Sequence, residues 1–238
     1  MKSTCVLICA VVAATLASGK DAPPPGGTPK PFLIPKRETF TLKNGMKVSL
    51  IPYGSVPVAT FSARVAFGNN NEAAGEVWMA DLLWSLVKEG AGDRNGIQLA
   101  EEAARMGGQL NTGAGPDNSQ ASIEVLTEFA PDAVRLLADV LQRPTLPASE
   151  LDRLRADLLR RLTVELSQPQ PQTEQAFAKA LYGDHPYGRI YPSEAMLKAY
   201  TIDRVRSFAH ANMGARRTHL YVVGRFPDSL RRTITEAF

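Results

Sequence analysis

Two polar side chains, Asp81 and Ser85, stand four residues apart in the apolar segment WMADLLWSLVKEGAG, which covers residues 78–92. The apolar composition and the Gly-Ala-Gly ending predict a buried helix that ends near Gly90. Residues four apart share one helix face, so the carboxylate and the hydroxyl point to the same side, beside Trp84. A serine hydroxyl is a poor metal ligand, and Asp81 has no base as a partner. The spacing therefore predicts two polar groups that either line a groove or lie at the edge of the helix.

The other side chains that could carry acid–base or metal chemistry are three histidines, His185, His210 and His219. None is spaced from another histidine or a cysteine as metal ligands are, and a lone histidine is more often structural. Both cysteines, Cys5 and Cys9, lie at the amino terminus. The sequence also lacks a G-x-S-x-G nucleophile turn and the glycine-rich loops that bind phosphates. Motifs alone therefore indicate no active site.

The 238-residue chain has a net charge of +3 with its charged residues interspersed, which argues against nucleic-acid binding. Residues 1–19 join one lysine, an apolar run and small residues, which predicts a signal peptide and an exported protein, periplasmic or secreted. The apolar run is too short for a stable membrane span, although an uncleaved anchor is the alternative. Residues 20–36 are rich in proline and glycine, which predicts an extended linker.

The elements that position the polar side chains begin near residue 37. Alternating residues around Asn44-Gly45 predict a hairpin with a two-residue loop, and VATFSARVAFG (58–68) predicts a strand with one buried face. The segment 96–108 predicts a helix whose inward stripe is Ile97, Leu99, Ala100, Ala103 and Ala104. The order of the segments predicts an α+β fold with a mostly antiparallel sheet and helices packed on one face. Because the chain stops inside a helical pattern, we expect a domain over 37–238 with a truncated C-terminal end.

Several of these segments, in this order, resemble the N-terminal domain of the insulinase/pitrilysin (M16) metallopeptidases, which include mitochondrial processing peptidase. The resemblance begins at FTLKNGMKVSLIPY and ARVAFGNNNE and continues through KEGAGDRNGIQLAEEAARMGGQLNTGAGPDNSQASIEVL. It is completed by LADVLQRPTLPASELDRLRADLLRRL and ALYGDHPYGR. It implies the layered domain shared by LuxS and mitochondrial processing peptidase.

Active members of this family carry an inverted zinc motif, H-x-x-E-H, on the helix before a Gly-Thr turn. The two histidines bind zinc, and the glutamate activates the zinc-bound water as a general base. With Gly90 placed at the Gly-Thr turn, the resemblance assigns the positions of the first histidine, the glutamate and the second histidine to Asp81, Trp84 and Ser85. It therefore implies a homologue in which the catalytic side chains are replaced.

The family's third zinc ligand is a glutamate on a long helix further along the chain. The resemblance places it at Arg161 or Leu162, neither of which can bind zinc, and Glu165, one helical turn away, would stand alone. Zinc held by protein side chains needs about three donors. We therefore predict no metal site, no catalytic residue and no cofactor in this chain, whereas active family members hold zinc.

The resemblance leaves three functions open. The first is an inactive, exported subunit that pairs with an active zinc peptidase of the same family and helps to bind peptide. In that function the peptide adds as a strand to the sheet edge, and the candidate contacts are Asn111, Thr112, Gly113 and Ala114. An ordinary internal strand of a hairpin is the alternative for these four residues. The second is an active zinc metalloendopeptidase with an unrecognised site, and the third is a purely structural assembly protein.

Overall fold

The computed structural model describes residues 26–27, 31 and 33–238, and the helices and strands it describes lie in the compact unit Pro35–Phe238. The predicted signal peptide, residues 1–19, lies outside the described residues, as does most of the 20–36 linker. Within the described ranges, no helix is both long enough and apolar enough to cross a membrane.

Along this unit the strands occur in four groups, β1–β3, β4–β5, β6–β7 and β8, and each group is followed by one or more α-helices. The strands are β1 (Glu38–Thr41), β2 (Lys47–Pro52), β3 (Val58–Val65), β4 (Gly90–Ala91), β5 (Arg94–Asn95), β6 (Asn111–Ala114), β7 (Ser119–Leu126) and β8 (Thr218–Gly224). The helices are α1 (Met79–Val87), α2 (Gly96–Arg105), α3 (Ala130–Gln142), α4 (Leu151–Leu166), α5 (Pro169–Tyr182), α6 (Glu194–Lys198), α7 (Ile202–Asn212) and α8 (Leu230–Ala237).

The main sheet has six strands in the order β1-β2-β8-β3-β7-β6. Strands β2 and β8 run parallel, and the other neighbouring pairs are antiparallel. Strand β8 comes from the last part of the chain and lies between β2 and β3. The first and last parts of the chain therefore belong to the same sheet. The prediction of a mostly antiparallel sheet in an α+β fold is confirmed.

One face of the sheet forms the core with the helices. On β3 the alternate residues Ala59, Phe61, Ala63 and Val65 are buried, whereas Arg64 on the opposite face is exposed. This period of two is the pattern of a sheet with helices on one face and solvent on the other. The predictions of the buried face of β3 and of helices on one side of the sheet are therefore confirmed.

The hairpin around Asn44-Gly45 is confirmed, but its loop differs from the prediction. The N–H of Leu42 donates to the carbonyl of Met46 at 2.8 Å, so the loop between them has three residues. Gly45 has a φ of +91°, a conformation that favours glycine. After the two-residue loop, a three-residue loop that ends in a left-handed glycine is the most common hairpin connection. The Asn-Gly dipeptide is therefore compatible with both loop lengths.

Helix α1 is the most buried helix of the domain. Seven of its nine residues are buried, and only Asp81 and Ser85 are partly accessible. A helix that is apolar on nearly all sides needs packing on nearly all sides, and α1 lies between the sheet and the helices α4 and α7. The sequence-based expectation of a buried helix with one polar strip is confirmed.

The inward stripe predicted for α2 is only partly right. Leu99 and Ala103 are buried, but Ala100 and Ala104 are exposed and Ile97 is 72% exposed. Two residues of separation turn a side chain by about 200° around a helix. A helix that packs along one narrow stripe therefore cannot bury both Ile97 and Leu99.

Candidate functional site

Asp81 lies at the surface of α1 and faces α4. Its Oδ1 accepts a hydrogen bond from Nη1 of Arg161 at 2.9 Å, and its Oδ2 accepts one from Nδ2 of Asn69, also at 2.9 Å. The structure thus joins Asp81 to Arg161, the two positions at which the resemblance places the first and the third zinc ligand. Leu162, the alternative position, is buried in the hydrophobic core.

Arg161 is held by three neighbours. Its Nε donates to Oε1 of Glu165 at 2.7 Å, its Nη1 donates to Asp81, and its guanidinium carbon lies 4.3 Å from the ring centre of Trp78. Burial lowers the pKa of Arg161, but the hydrogen bonds to Glu165 and Asp81 outweigh burial and raise it. The guanidinium therefore stays charged and connects α1 to α4. Glu165, the carboxylate one helical turn away, is bonded to Arg161 and not to another metal-ligating side chain of the described residues.

Neither Ser85 nor Trp84 offers a group that could bind zinc or act as a base. The Oγ of Ser85 donates to the carbonyl of Asp81 at 2.8 Å, a bond within the helix. Trp84 is 1% exposed and stacks on Phe67, with ring centres 6.1 Å apart. Its Nε1 has no hydrogen-bond partner among the described residues. The position assigned to the catalytic glutamate is thus filled by an indole in the core.

The residues present do not fit zinc. Among the described side chains, no group of three histidines, cysteines, aspartates or glutamates could hold a metal ion. Asp81 is the only carboxylate at the assigned positions, and its oxygens are already bonded to a cation and an amide. A metal ion at this place would have to displace the positive charge of Arg161 and would find one donor instead of about three.

Glu72 was missed by the sequence analysis and anchors the amino end of α1. It is 4% exposed, and its carboxylate accepts hydrogen bonds from the N–H of Trp78 at 3.0 Å, the N–H of Ala80 at 2.8 Å and Nδ2 of Asn69 at 3.1 Å. Trp78 itself has a φ of 68°, rare for a bulky residue. Acidic groups commonly satisfy the free N–H groups at a helix start. An acidic loop six residues before the helix was the available signal.

Burial raises the pKa of Glu72 from 4.5 to about 8, and the lowering by the hydrogen bonds from Ala80, Asn69 and Trp78 does not offset it. Because the folded-state pKa is the higher one, folding favours the protonated carboxyl between these values. The contribution of Glu72 to the free energy of unfolding should therefore be full below about pH 4.5, fall by up to about 1.4 kcal/mol per pH unit above it, and level off above about pH 8. In Glu72→Gln this contribution should vanish, as measured by urea unfolding across the range.

Glu76→Gln is the matched control for this prediction. Glu76 lies on the same loop and pairs with Arg204 at 2.7 Å near the surface. Its replacement should leave the downward slope in place. Parallel stability profiles for the wild type and Glu72→Gln would contradict the titration of Glu72.

A cavity of about 480 Å³ opens beside the Asp81–Arg161 pair. Asp117 is one of its lining residues, and its Oδ1 accepts hydrogen bonds from Nδ2 of Asn70 at 2.8 Å and from the hydroxyl of Tyr187 at 2.5 Å. The walls are mostly apolar or aromatic with a few polar groups, and include Val77, Trp78, Ala114, Gly115, Pro116, Tyr182, Pro186, Tyr187, Arg189 and Ile190. Such a lining is typical of a site for an organic ligand.

Strand β6 borders this cavity at Ala114 and forms the edge of the sheet. Gly115 donates to the carbonyl of Asn118 at 2.9 Å, which fixes the alternation of the ladder with β7. By that alternation Asn111 and Gly113 bond to β7, whereas the N–H and C=O groups of Thr112 and Ala114 point outward. These outward groups make no hydrogen bond with the described part of the chain. The edge is therefore open to a further strand.

The histidines do not come together. His185 lies in the loop after α5, where its Nδ1 accepts from the N–H of Tyr187 at 3.2 Å. His210 is exposed on α7. His219 lies on β8, and its Nε2 is 2.9 Å from the hydroxyl of Ser49 on the neighbouring strand. The geometry agrees with a structural interpretation of each histidine.

A sequence profile of the family described as "Insulinase (Peptidase family M16)" matches residues 55–192. A protein of Bacillus subtilis strain 168 named "Uncharacterized zinc protease YmxG" is 23% identical over 200 residues, which cover 84% of this chain and 49% of that protein. The chain thus spans about half the length of this relative.

Two solved structures are similar in fold. A protease from Helicobacter pylori has a TM-score of 0.81 at 20% identity, over 87% of this chain and 50% of the other. A "peptidase M16 inactive domain" from Pseudomonas fluorescens has a TM-score of 0.75 at 22% identity, over 85% and 50%. At these identities the likeness shows the fold, while the profile covers more than half of the chain. The chain belongs to the insulinase family of peptidases, family M16.

Proposed function

We propose that this chain is an exported, non-hydrolytic M16 protein that binds extended peptide and pairs with a zinc-bearing member of the family. The observation that carries the proposal is the Asp81–Arg161 ion pair at 2.9 Å. It fills the space between α1 and α4 with a cation that cannot activate water as zinc does. Trp84 adds apolar bulk where a general base would be needed.

Peptide binding is supported by the edge strand β6. Thr112 and Ala114 offer unused backbone donors and acceptors, which are what a peptide needs to add as a further strand. The adjoining cavity would receive one side chain of that peptide, because side chains of a strand alternate between its two faces. Asn111 and Gly113 then contribute through the ladder that holds β6 in place.

Pairing with an active partner is supported by a relative from Schizosaccharomyces pombe whose name is "Probable mitochondrial-processing peptidase subunit beta" and which is 30% identical over 157 residues. A name of that form denotes one subunit of an assembly. We infer that this chain pairs with a separate member of the family, which supplies the zinc. Export is supported by the composition of residues 1–19 alone.

Elemental analysis of the purified protein is expected to find no stoichiometric zinc, because the site offers one carboxylate where about three donors are needed. Peptide hydrolysis should stay at the level of a blank with or without a chelator, while the protein still binds unfolded peptides. Stoichiometric zinc together with chelator-sensitive cleavage would show that the chain is an active peptidase.

Purification from the native host tests the partner in the same preparation. A copurifying M16 subunit with an intact H-x-x-E-H motif is expected, and sequencing the amino terminus of the native chain tests export. If no such subunit copurifies and the chain has no affinity for peptides, the purely structural alternative holds.

A further inference from the structure

We propose that Arg161 takes the place of the metal ion as the group that binds a backbone carbonyl of the bound peptide. This inference rests on the proposed function. It names the side chain that contacts the peptide at the place where an active relative would hold zinc. Arg161 stands where the resemblance places a zinc ligand, and it bonds to Asp81, which stands where the resemblance places another. The guanidinium thus occupies the region in which an active relative would hold its cation.

The guanidinium of Arg161 has one nitrogen that can still donate hydrogen bonds to a ligand. Its Nε bonds to Glu165 at 2.7 Å and its Nη1 bonds to Asp81 at 2.9 Å, while its Nη2 has no hydrogen-bond partner in the part of the chain that the structure describes. The side chain is 47% exposed and lines the cavity of about 480 Å³. Two carboxylates and the ring of Trp78 fix its orientation. A fixed donor loses little entropy when it binds a ligand.

The strand edge leads a peptide to this donor. Ala114, the last residue of β6, lines the same cavity as Arg161. Helix α1 is tied to β6 by the hydroxyl of Thr112, which donates to the carbonyl of Trp84 at 2.8 Å. A strand added along Thr112 and Ala114 therefore runs past the mouth of the cavity, where its next carbonyl can meet Nη2.

The charges around Arg161 select the kind of acceptor. The cavity lining carries two carboxylates, Asp81 and Asp117, and two guanidiniums, Arg161 and Arg189. Glu165, which bonds to Arg161 at 2.7 Å, adds a third negative charge beside the lining. A carboxylate ligand would add to this negative excess, which is unfavourable at short range. A neutral carbonyl accepts the same hydrogen bond without that repulsion. The site therefore fits an internal segment of a polypeptide and disfavours a free C-terminal carboxylate.

A guanidinium at this place binds a carbonyl but does not cleave the bond beside it. It donates a charge-assisted hydrogen bond, which is stronger than a neutral one. It stays protonated at physiological pH, so it supplies neither hydroxide nor a base. The chain would hold a polypeptide in extended form and release it intact.

The test is the affinity of the full chain for a fluorescent, unstructured peptide that is acetylated and amidated, measured by fluorescence anisotropy. Arg161→Met should weaken binding by about tenfold or more, since a hydrogen bond to a charged group is stronger than a neutral one. Arg160→Met is the matched control. Arg160 lies next to Arg161 on α4, pairs with Asp157 and is not in the cavity, so its loss should leave affinity unchanged.

Asp81→Asn distinguishes the effect of the guanidinium from the effect of its ion pair with Asp81. This variant loses the charge of Asp81 but keeps Arg161, so its affinity should fall less than that of Arg161→Met. The same peptide with a free C-terminal carboxylate should bind no more tightly than the amidated form. Equal affinity of Arg161→Met and the wild type, or a gain of tenfold with the free carboxylate, would overturn the inference while leaving the proposed function standing. If the wild type binds no peptide at all, both fail together.

Discussion

Replacing Trp84 with alanine is expected to lower the free energy of unfolding by about 3–5 kcal/mol, the usual cost of removing a large buried aromatic ring. Trp84 is the largest of the fully buried side chains in the described domain and is 1% exposed. Its ring stacks on Phe67, which in turn meets Phe208 of α7 edge-on at 5.9 Å. The cavity left by alanine would lie between α1, the sheet and α7. Urea unfolding followed by circular dichroism measures the loss.

Two further variants show what the ring contributes. Trp84→Phe keeps an aromatic ring and removes an indole N–H that has no partner among the described residues, so it should cost less than about 1.5 kcal/mol. Phe177→Ala removes an aromatic ring that is 65% exposed on α5, and should change stability by about 0.5 kcal/mol or less. If Trp84→Ala were no more destabilising than Phe177→Ala, Trp84 would not be a core residue. The argument that its ring fills the place of a general base would then fail.

The fold could be predicted from the sequence because its signals are local and periodic. The alternation in β3 and the apolar run of α1 each follow from residues close together in the chain. The prediction was wrong at Ile97 for the same reason. Apolar periodicity shows which side chains could be buried, but the packing of α2 decides which stripe is buried, and that depends on distant segments.

The candidate site could be predicted only in part. The resemblance assigned the family's catalytic positions to Asp81, Trp84 and Ser85, and that assignment stays a prediction. It did not show that Asp81 pairs with Arg161, because these residues are 80 positions apart and only the packing of α1 against α4 brings them together. The role of Glu72 could not be predicted for the same reason. Its carboxylate stabilises the helix by accepting hydrogen bonds from backbone N–H groups, and the sequence does not show which N–H groups lie near it.

Ala114→Pro is expected to weaken peptide binding by tenfold or more, because proline removes the outward N–H that a bound strand would use. Proline is tolerated on edge strands where the missing N–H faces away from the neighbouring strand. The N–H of Ala114 makes no bond to β7, so the sheet should stay intact. Fluorescence anisotropy with a capped, unstructured peptide measures the affinity, and thermal unfolding confirms that the variant is folded.

Ala114→Gly and Gly113→Pro are the control variants for this prediction. Ala114→Gly keeps the N–H and should bind within threefold of the wild type, which separates the backbone donor from the methyl group. Gly113→Pro removes an N–H that bonds to β7 in the ladder, so it should destabilise the fold as well as reduce binding. Unchanged affinity in a folded Ala114→Pro protein would mean that peptides do not add as a strand to β6. The cavity beside Arg161 would then have to bind its ligand without help from the sheet edge.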